Sequence, residues 1–198
     1  MNQAGTSARG RPRRLETDAA INAATRALLV DVGYGELTIE GVAKRAGVGK
    51  PTVYRRHDSK ASLVAAALIE TLEMANPEPP DTGDVNADVQ LLLGNLAVAL
   101  SSTDFGRAIT EIVSPASREA HLAELFQAAI DERRGLIRTL FERAQAHDLL
   151  VPVDVELAID MALGAIYFRH LMSHQPIDAG FIADLVDSLV LHNGQLIS

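Results

Sequence analysis

Residues 37–60, LTIEGVAKRAGVGKPTVYRRHDSK, decide the fold. Val42 and Ala46 are apolar residues at helical spacing, and Gly47 then interrupts the pattern. A second short helix is predicted to begin beside Pro51, because proline is tolerated only in the first turn of a helix. Two short helices joined by a glycine turn form a helix-turn-helix, whose second helix can lie in the major groove of DNA.

The predicted second helix carries side chains that suit a duplex. Its basic, hydroxyl and phenol side chains are Lys50, Thr52, Tyr54, Arg55 and Arg56. Val53 is left to face the core. A helical hairpin with a solvated basic face is the alternative interpretation of this segment taken alone.

The surrounding residues favour the first interpretation, because they resemble the DNA-binding domain of the TetR family of bacterial transcriptional regulators. The matching residues are Gly33, Thr38, Val42, Ala43, Ala46, Gly47, Val48, Thr52, Tyr54, Lys60 and Leu63. The chain departs from the family at His57, where a phenylalanine or tryptophan is usual. The resemblance implies an all-α fold of about nine helices, with an N-terminal three-helix domain and a C-terminal helical domain for ligand binding and dimerisation.

Charge is distributed unevenly along the 198 residues. Residues 1–60 hold eleven Lys and Arg against six Asp and Glu, so they carry +5, while residues 61–198 carry −13 and the whole chain −8. A basic end on an acidic body indicates that a polyanion is contacted at one end only.

Composition excludes several other classes of protein. No apolar run approaches the roughly 18–20 residues that span a bilayer, so no membrane partner is predicted. The basic N-terminus lacks the apolar segment of a secretory signal. The chain has no cysteine, which excludes disulfide and thiol chemistry and permits the cytoplasmic location that we expect.

Residues 1–14 are rich in Gly, Ser and Arg, and we expect them to form a disordered basic arm. Within the arm, Arg9–Pro12 resembles the core of an AT-hook. Arg9 and Arg11 would suit a narrow, A·T-rich minor groove, where the negative potential is strongest. An ordinary solubilising tail is the alternative, and these few residues do not choose between the two.

The predicted DNA-binding domain spans residues 15–62. Its first helix is expected from Thr17 to Val32, with Gly33 as the C-terminal stop. Thr38 is expected to cap the second helix, since its side chain can accept a hydrogen bond from a backbone N–H of the first turn.

Phosphate contacts fix the register of such a domain on DNA, whereas base contacts select the sequence. The resemblance implies phosphate contacts for Thr38, Tyr54 and Lys60, and charge and position add Arg56. Lys50, Thr52 and Arg55 are predicted to reach base edges. A solvated surface position is the alternative for Arg55 and Arg56. The full predicted set is Arg9, Arg11, Thr38, Lys50, Pro51, Thr52, Tyr54, Arg55, Arg56 and Lys60.

Residues 63–198 are expected to form the effector-binding and dimerisation domain. The fourth helix, capped by Asp58 or Ser59, enters this domain and is stopped by the proline-rich loop Asn76–Asp84. Five further helices are predicted, at Asp88–Leu100, Phe105–Val113, from Ser114-Pro115 or Ser117 to Ala146, Val155–Met172 and Ala179–His192.

The resemblance further implies a homodimer held by the last two helices, and a small-molecule effector of unknown identity. The predicted interface is Ala158, Met161, Ala162, Ala165, Ile182, Leu185 and Leu189. The predicted effector site is Phe105, Ile109, Ile112, Phe126, Ile130, Arg133, Tyr167 and Phe168, for each of which core packing or a surface ion pair is the alternative. His170 and His174 lack the further ligands that zinc needs, so neither a metal nor another cofactor is expected.

The sequence therefore predicts a DNA-binding transcriptional regulator. A repressor that binds a palindromic operator as a homodimer and is released by an effector is the leading hypothesis. An activator of the same fold and an effector-independent architectural DNA-binding protein are the alternatives. The chain has no P-loop, dinucleotide-binding glycine pattern or cysteine nucleophile, so an enzyme is not predicted.

Overall fold

The computed structural model describes residues 10–191, with side chains from residue 14 onward. These residues form nine α-helices and one π-helical turn, and their only β pairing is an isolated bridge between Leu150 and Val190. The predicted all-α fold is confirmed. The helices are α1 Gly10–Glu36, α2 Ile39–Arg45, α3 Lys50–Tyr54, α4 Lys60–Ala75, α5 Val85–Ser102, α6 Asp104–Ala116, α7 Ala120–Ala146, α8 Val155–Phe168 and α9 Ala179–Asp187, and the π-helical turn is Arg169–Ser173.

The chain divides into two compact units. The first unit consists of Met1–Glu70 and Arg107–Leu125, and the second consists of Thr71–Gly106 and Phe126–Ser198. The unit that contains the helix-turn-helix thus also includes most of α6 and the start of α7. This second segment was not predicted from the sequence.

Helix α1 starts before its predicted first residue, Thr17. It begins at Gly10, so the last five residues of the predicted disordered arm are helical instead. Pro12 does not prevent this start, because the first turn of a helix needs no N–H from it. Arg9 lies outside the described residues, and the side chain of Arg11 lies outside the described side chains, so the minor-groove hypothesis stays a prediction.

The first unit has a core of branched apolar side chains from α1 to α4. Its fully buried members include Ile21, Leu29, Leu37, Val42, Val53, Leu63 and Leu68. Gly33 has φ 74° and ψ 169°, which ends the regular geometry of α1 where the sequence predicted. The N-terminus of α4 is closed by Ser59, whose Oγ accepts from the backbone N–H of Ser62 at 3.0 Å.

The second unit buries one face of each long helix at three- and four-residue spacing. Its fully buried side chains include Leu93 on α5, Leu140 and Phe141 on α7, and Ile159 and Ile166 on α8.

Two helices of the second unit end earlier than predicted. Helix α8 gives way to the π-helical turn, and the turn ends at His174, which has the left-handed φ of 52°. Helix α9 ends at Asp187, short of the predicted His192, because the chain then turns to form the bridge at Val190.

Candidate DNA interface

The helix-turn-helix is built from α2, a glycine turn and α3. Thr38 Oγ1 accepts a hydrogen bond from the backbone N–H of Gly41 at 3.0 Å, which confirms the predicted cap of α2. Gly47 has φ 67°, a left-handed conformation that glycine adopts without strain, and it turns the chain toward α3. Pro51 lies in the first turn of α3, as predicted.

One face of α3 is open to solvent and the other packs on the core. Val53 is fully buried, as expected for the inward face. Lys50, Pro51, Tyr54 and Arg55 are exposed, and Thr52 is partly exposed. The only hydrogen bond between these five side chains is a long one of 3.4 Å from Arg55 to the Thr52 hydroxyl. Arg55 is therefore free to reorient toward a base edge.

Arg56 points the other way. Its guanidinium forms an ion pair with Asp18 of α1 and donates to the carbonyl oxygen of Thr52 at 3.1 Å, and its side chain is only 17% exposed. Arg56 is therefore an internal brace between α3 and α1, and its phosphate contact stays a prediction. Helical spacing could have indicated this, because Arg56 follows the buried Val53 by three residues and shares its face.

Lys60 is held by the C-terminal end of α1. Its ammonium group donates to the carbonyl oxygens of Tyr34 at 2.8 Å and Gly35 at 3.2 Å, and lies 4.3 Å from the centre of the Tyr34 ring. A lysine has three donors, so one remains for a phosphate. The predicted contact stays a prediction, and the structure adds Tyr34, which the sequence reasoning missed.

Tyr34 is itself fixed within the first unit. Its hydroxyl donates to the carboxylate of Glu119 at 2.8 Å, and burial, followed by this carboxylate, raises the pKa of Tyr34. The segment Arg107–Leu125 thus supports the residue that positions Lys60.

His57, where the chain departs from the family, is partly buried beside Asp18 and Arg56. Burial is the largest influence and lowers the pKa of His57, and Asp18 opposes this change. A partly buried imidazole therefore takes the place of the usual aromatic ring at the end of α3.

The eight predicted effector residues differ in environment. Phe105 and Ile112 are fully buried, whereas Ile130 and Phe168 are exposed. Ile109 and Ile112 belong to the first unit and the other six to the second. A surface hollow of about 430 Å³ in the second unit is lined by other residues, namely Gly83, Asp84, Val85, Asn86, His147, Leu149 and Leu191.

Arg133 is the predicted effector residue with the most specific contacts. One of its terminal nitrogens donates to the carbonyl oxygens of Asn76 at 2.9 Å and Leu72 at 3.4 Å, at the C-terminal end of α4. Its Nε is buried and has no acceptor among the described residues. Burial alone raises the pKa of Tyr167, another member of the set.

The predicted dimer interface needs correction. Four of its seven residues, Ala158, Ala162, Ile182 and Leu189, are buried inside their own unit and have no surface to offer a second subunit. Met161 is exposed, and Ala165 and Leu185 are partly exposed. The exposed apolar row on α8 and the following turn consists instead of Leu157, Met161, Phe168 and Met172.

The described residues contain no cluster of three His, Cys, Asp or Glu that could bind a metal. His170 is engaged elsewhere, since its Nε2 lies 2.8 Å from the carbonyl oxygen of Gly106. Within residues 10–191, every helix is too short or too polar to cross a membrane.

A capped short helix, a left-handed glycine and a second short helix with an exposed basic face define a helix-turn-helix DNA-binding protein. Comparison with known protein families identifies the family within this class. Residues 21–67 match the family described as "Bacterial regulatory proteins, tetR family", and residues 79–189 match "Tetracyclin repressor-like, C-terminal domain". The chain belongs to the TetR family of DNA-binding transcriptional regulators.

Three relatives illustrate the similarity. The HTH-type transcriptional regulator YdeS of Bacillus subtilis is 32% identical over 182 residues, which cover 91% of each chain. The DNA-binding transcriptional repressor TetR of Mycobacteroides abscessus is 34% identical over 87% of this chain and 91% of its own. The crystal structure of the TetR family regulator SCO0332 superposes with a TM-score of 0.66 at 32% identity, covering 87% of this chain and 96% of that one.

Proposed function

We propose that this chain is a cytoplasmic repressor that binds a palindromic operator as a homodimer and is released by a small-molecule effector. The observation that carries the proposal is the exposed face of α3, where Lys50, Tyr54 and Arg55 project from a helix whose opposite side is fixed by the buried Val53. The repressor of Mycobacteroides abscessus, with its 34% identity, supports repression over activation.

In this proposal Lys50, Thr52 and Arg55 read base edges in the major groove. Arginine can bind guanine through two hydrogen bonds, and the methyl group of threonine can contact that of thymine. Thr38, Tyr54 and Lys60 contact phosphates and set the register. Pro51 is exposed beside them and provides an apolar contact surface.

The second subunit is proposed to cover the exposed row Leu157, Met161, Phe168 and Met172. These residues recur at intervals of four, seven and four along α8 and its extension, so they form one apolar face that is left to solvent in the single chain. A twofold dimer would place its two α3 helices about 34–36 Å apart, which is one turn of DNA.

The effector is proposed to bind the second unit, with Phe126, Arg133 and Tyr167 as candidate contacts. The buried, unpartnered Nε of Arg133 favours an effector with a hydrogen-bond acceptor or an anionic group. Binding would shift the dimer to a shape that no longer matches the operator. Moving this balance from 1:99 to 99:1 requires a difference in affinity of about 5.5 kcal/mol between the two shapes.

The test is selection of bound duplexes from a random pool with the purified full-length protein. A palindromic consensus with half-sites one helical turn apart would support the proposal. Binding that ignores sequence and disappears with added salt would overturn it in favour of an architectural protein, because phosphate contacts alone behave in this way. Screening of small anionic and neutral compounds for release of the selected duplex then tests the effector.

A further inference from the structure

An ion pair joins the two helices of the helix-turn-helix. Glu40 lies in the first turn of α2 and Lys50 is the first residue of α3, and their side chains are paired while remaining 60% and 47% exposed. Among the ion pairs seen in the described residues, this is the one that connects α2 with α3. Its lysine is also one of the predicted base-reading residues.

The Glu40–Lys50 pair is exposed to solvent, so either side chain can leave it for another partner at little cost. An ion pair that is open to water contributes little to stability, because each charge is well solvated on its own. The Lys50 ammonium lies 5.6 Å from the centre of the Tyr54 ring, on the exposed side of α3. The hydrogen bond to Lys50 is the main reason that the pKa of Glu40 is lowered, so the carboxylate is charged at neutral pH.

A free lysine on this surface would bind any phosphate. Glu40 changes that, because it neutralises Lys50 in the unbound protein and is itself repelled by phosphates. A G·C base pair offers partners for both groups in the major groove. The guanine presents O6 and N7 as acceptors for an ammonium group, and the cytosine presents an N4 amine as a donor to a carboxylate.

We propose that Glu40 is a specificity-determining residue, which restrains Lys50 on non-cognate DNA and releases it where a cytosine amine and guanine acceptors take over the two partners. The proposal rests on the proposed function, since it takes α3 as the DNA-reading helix. It assigns a G·C base pair to one position of each half-site. It also explains how an exposed acidic side chain can stand on a DNA-contacting surface.

The informative variant is Glu40→Gln, which keeps the shape and removes the charge. The amide binds adenine through N6 and N7, so the preferred base opposite residue 40 should change from cytosine to adenine. Discrimination for cytosine at that position should fall by roughly 5- to 150-fold in Kd, the range typical of one direct contact. Freeing Lys50 for one phosphate should also steepen the dependence of log Kd on log salt for random DNA by about 0.9.

The matched control is Asp31→Asn, which removes the same charge from the exposed pair that Asp31 forms with Arg45 between α1 and α2. It should raise affinity for random DNA through net charge alone and leave the preferred sequence unchanged. Both variants and the wild type are compared by duplex selection and by salt titration on random DNA. Unchanged circular dichroism establishes that each variant is folded.

The two proposals can fail separately. If the wild type selects no sequence, the proposed function fails. If the wild type selects a palindrome but Glu40→Gln selects the same bases at every position, the assignment of Glu40 is overturned. A wild-type consensus in which no half-site position requires a G·C pair overturns it equally.

Discussion

Two arginines, one in each unit, use their hydrogen-bond donors in opposite ways. On α3 of the first unit, Arg55 is exposed and makes only a long contact with its own helix. In the second unit, Arg143 binds the carboxylates of Asp81 and Asp88 and the carbonyl oxygen of Pro80, so it ties α7 to the first turn of α5 and to the loop that precedes it. An arginine is therefore a candidate for DNA contact only when its hydrogen-bond donors are not already bound within its own unit.

The largest loss of stability should follow from removing Asp88, the buried partner of Arg143 in the second unit. The Asp88 side chain is 1% exposed and accepts from the backbone N–H of Thr82 at 2.9 Å and its hydroxyl at 2.7 Å, besides pairing with Arg143. Asp88→Ala should lower the free energy of unfolding by about 3–5 kcal/mol, because it removes three hydrogen bonds that meet on one buried carboxylate. Urea denaturation measures the change.

The control for this variant shares the same arginine. Asp81 also pairs with Arg143, but its side chain is 79% exposed, so Asp81→Ala should cost at most about 1 kcal/mol. Equal losses of unfolding free energy for the two variants would mean that burial does not strengthen the contacts of Arg143. The contrast between Arg143 and the exposed Arg55 would then be wrong.

The second prediction concerns the apolar row that is proposed to form the dimer interface. Phe168→Glu should weaken association by about 2–4 kcal/mol, since a charge without a partner would be buried between subunits. Sedimentation or light scattering over a range of protein concentrations measures the effect. Val98→Glu is the control, because Val98 is an equally exposed apolar residue of α5 that lies outside the row. If both variants dissociate the dimer, or if neither does, the row is not the dimer interface.

The third prediction separates two adjacent arginines of the first unit. Arg55→Ala should weaken binding to the selected operator by about 1–3 kcal/mol and relax one base preference, without loss of stability. Arg56→Ala should instead lower the free energy of unfolding by about 1–2 kcal/mol, because it releases Asp18 and the Thr52 carbonyl oxygen. Measuring operator affinity and urea denaturation for both variants distinguishes a DNA-contacting arginine from a stabilising one. A stability loss confined to Arg55→Ala would reverse the assignments.

These two arginines also show what a sequence can and cannot supply. Apolar periodicity predicted a long helix that starts at Ser114-Pro115 or at Ser117 and ends at Ala146. The structure places it at Ala120–Ala146, because one apolar stripe determines a helix of that length, and Ser114 and Pro115 belong to α6 instead. The inward direction of Arg56 was readable from its three-residue distance to Val53. Its partner Asp18, however, lies 38 positions earlier, and only the folded domain brings the two together.

Helix α8 shows a limit of a different kind. It is apolar on two faces, one holding the buried Ala158 and Ala162 and the other holding the exposed Leu157 and Met161. The sequence pattern indicates that both faces of α8 are apolar, but it does not indicate which face packs against the rest of the second unit. The predicted interface therefore took the small residues, which suit close packing between any two helices, and these pack within the subunit.

The smallest predicted effect concerns His57, at the inner edge of the DNA-reading surface. Because burial lowers the pKa of His57 in the folded state, the unfolded chain binds more protons as the pH falls below about 6.5. Stability should therefore decrease below that pH, with a contribution of at most about 1.4 kcal/mol per pH unit from this one group. In His57→Phe, which restores the residue type usual in the family, that part of the slope should vanish.

Urea denaturation at a series of pH values between about 5 and 8 measures this slope. His147→Phe serves as the control, since His147 is an exposed histidine of the second unit. If the wild type and His57→Phe lose stability in parallel on acidification, the partly buried imidazole is not the group that titrates. The acid sensitivity would then arise elsewhere in the protein, and His57 would support the end of α3 through packing alone.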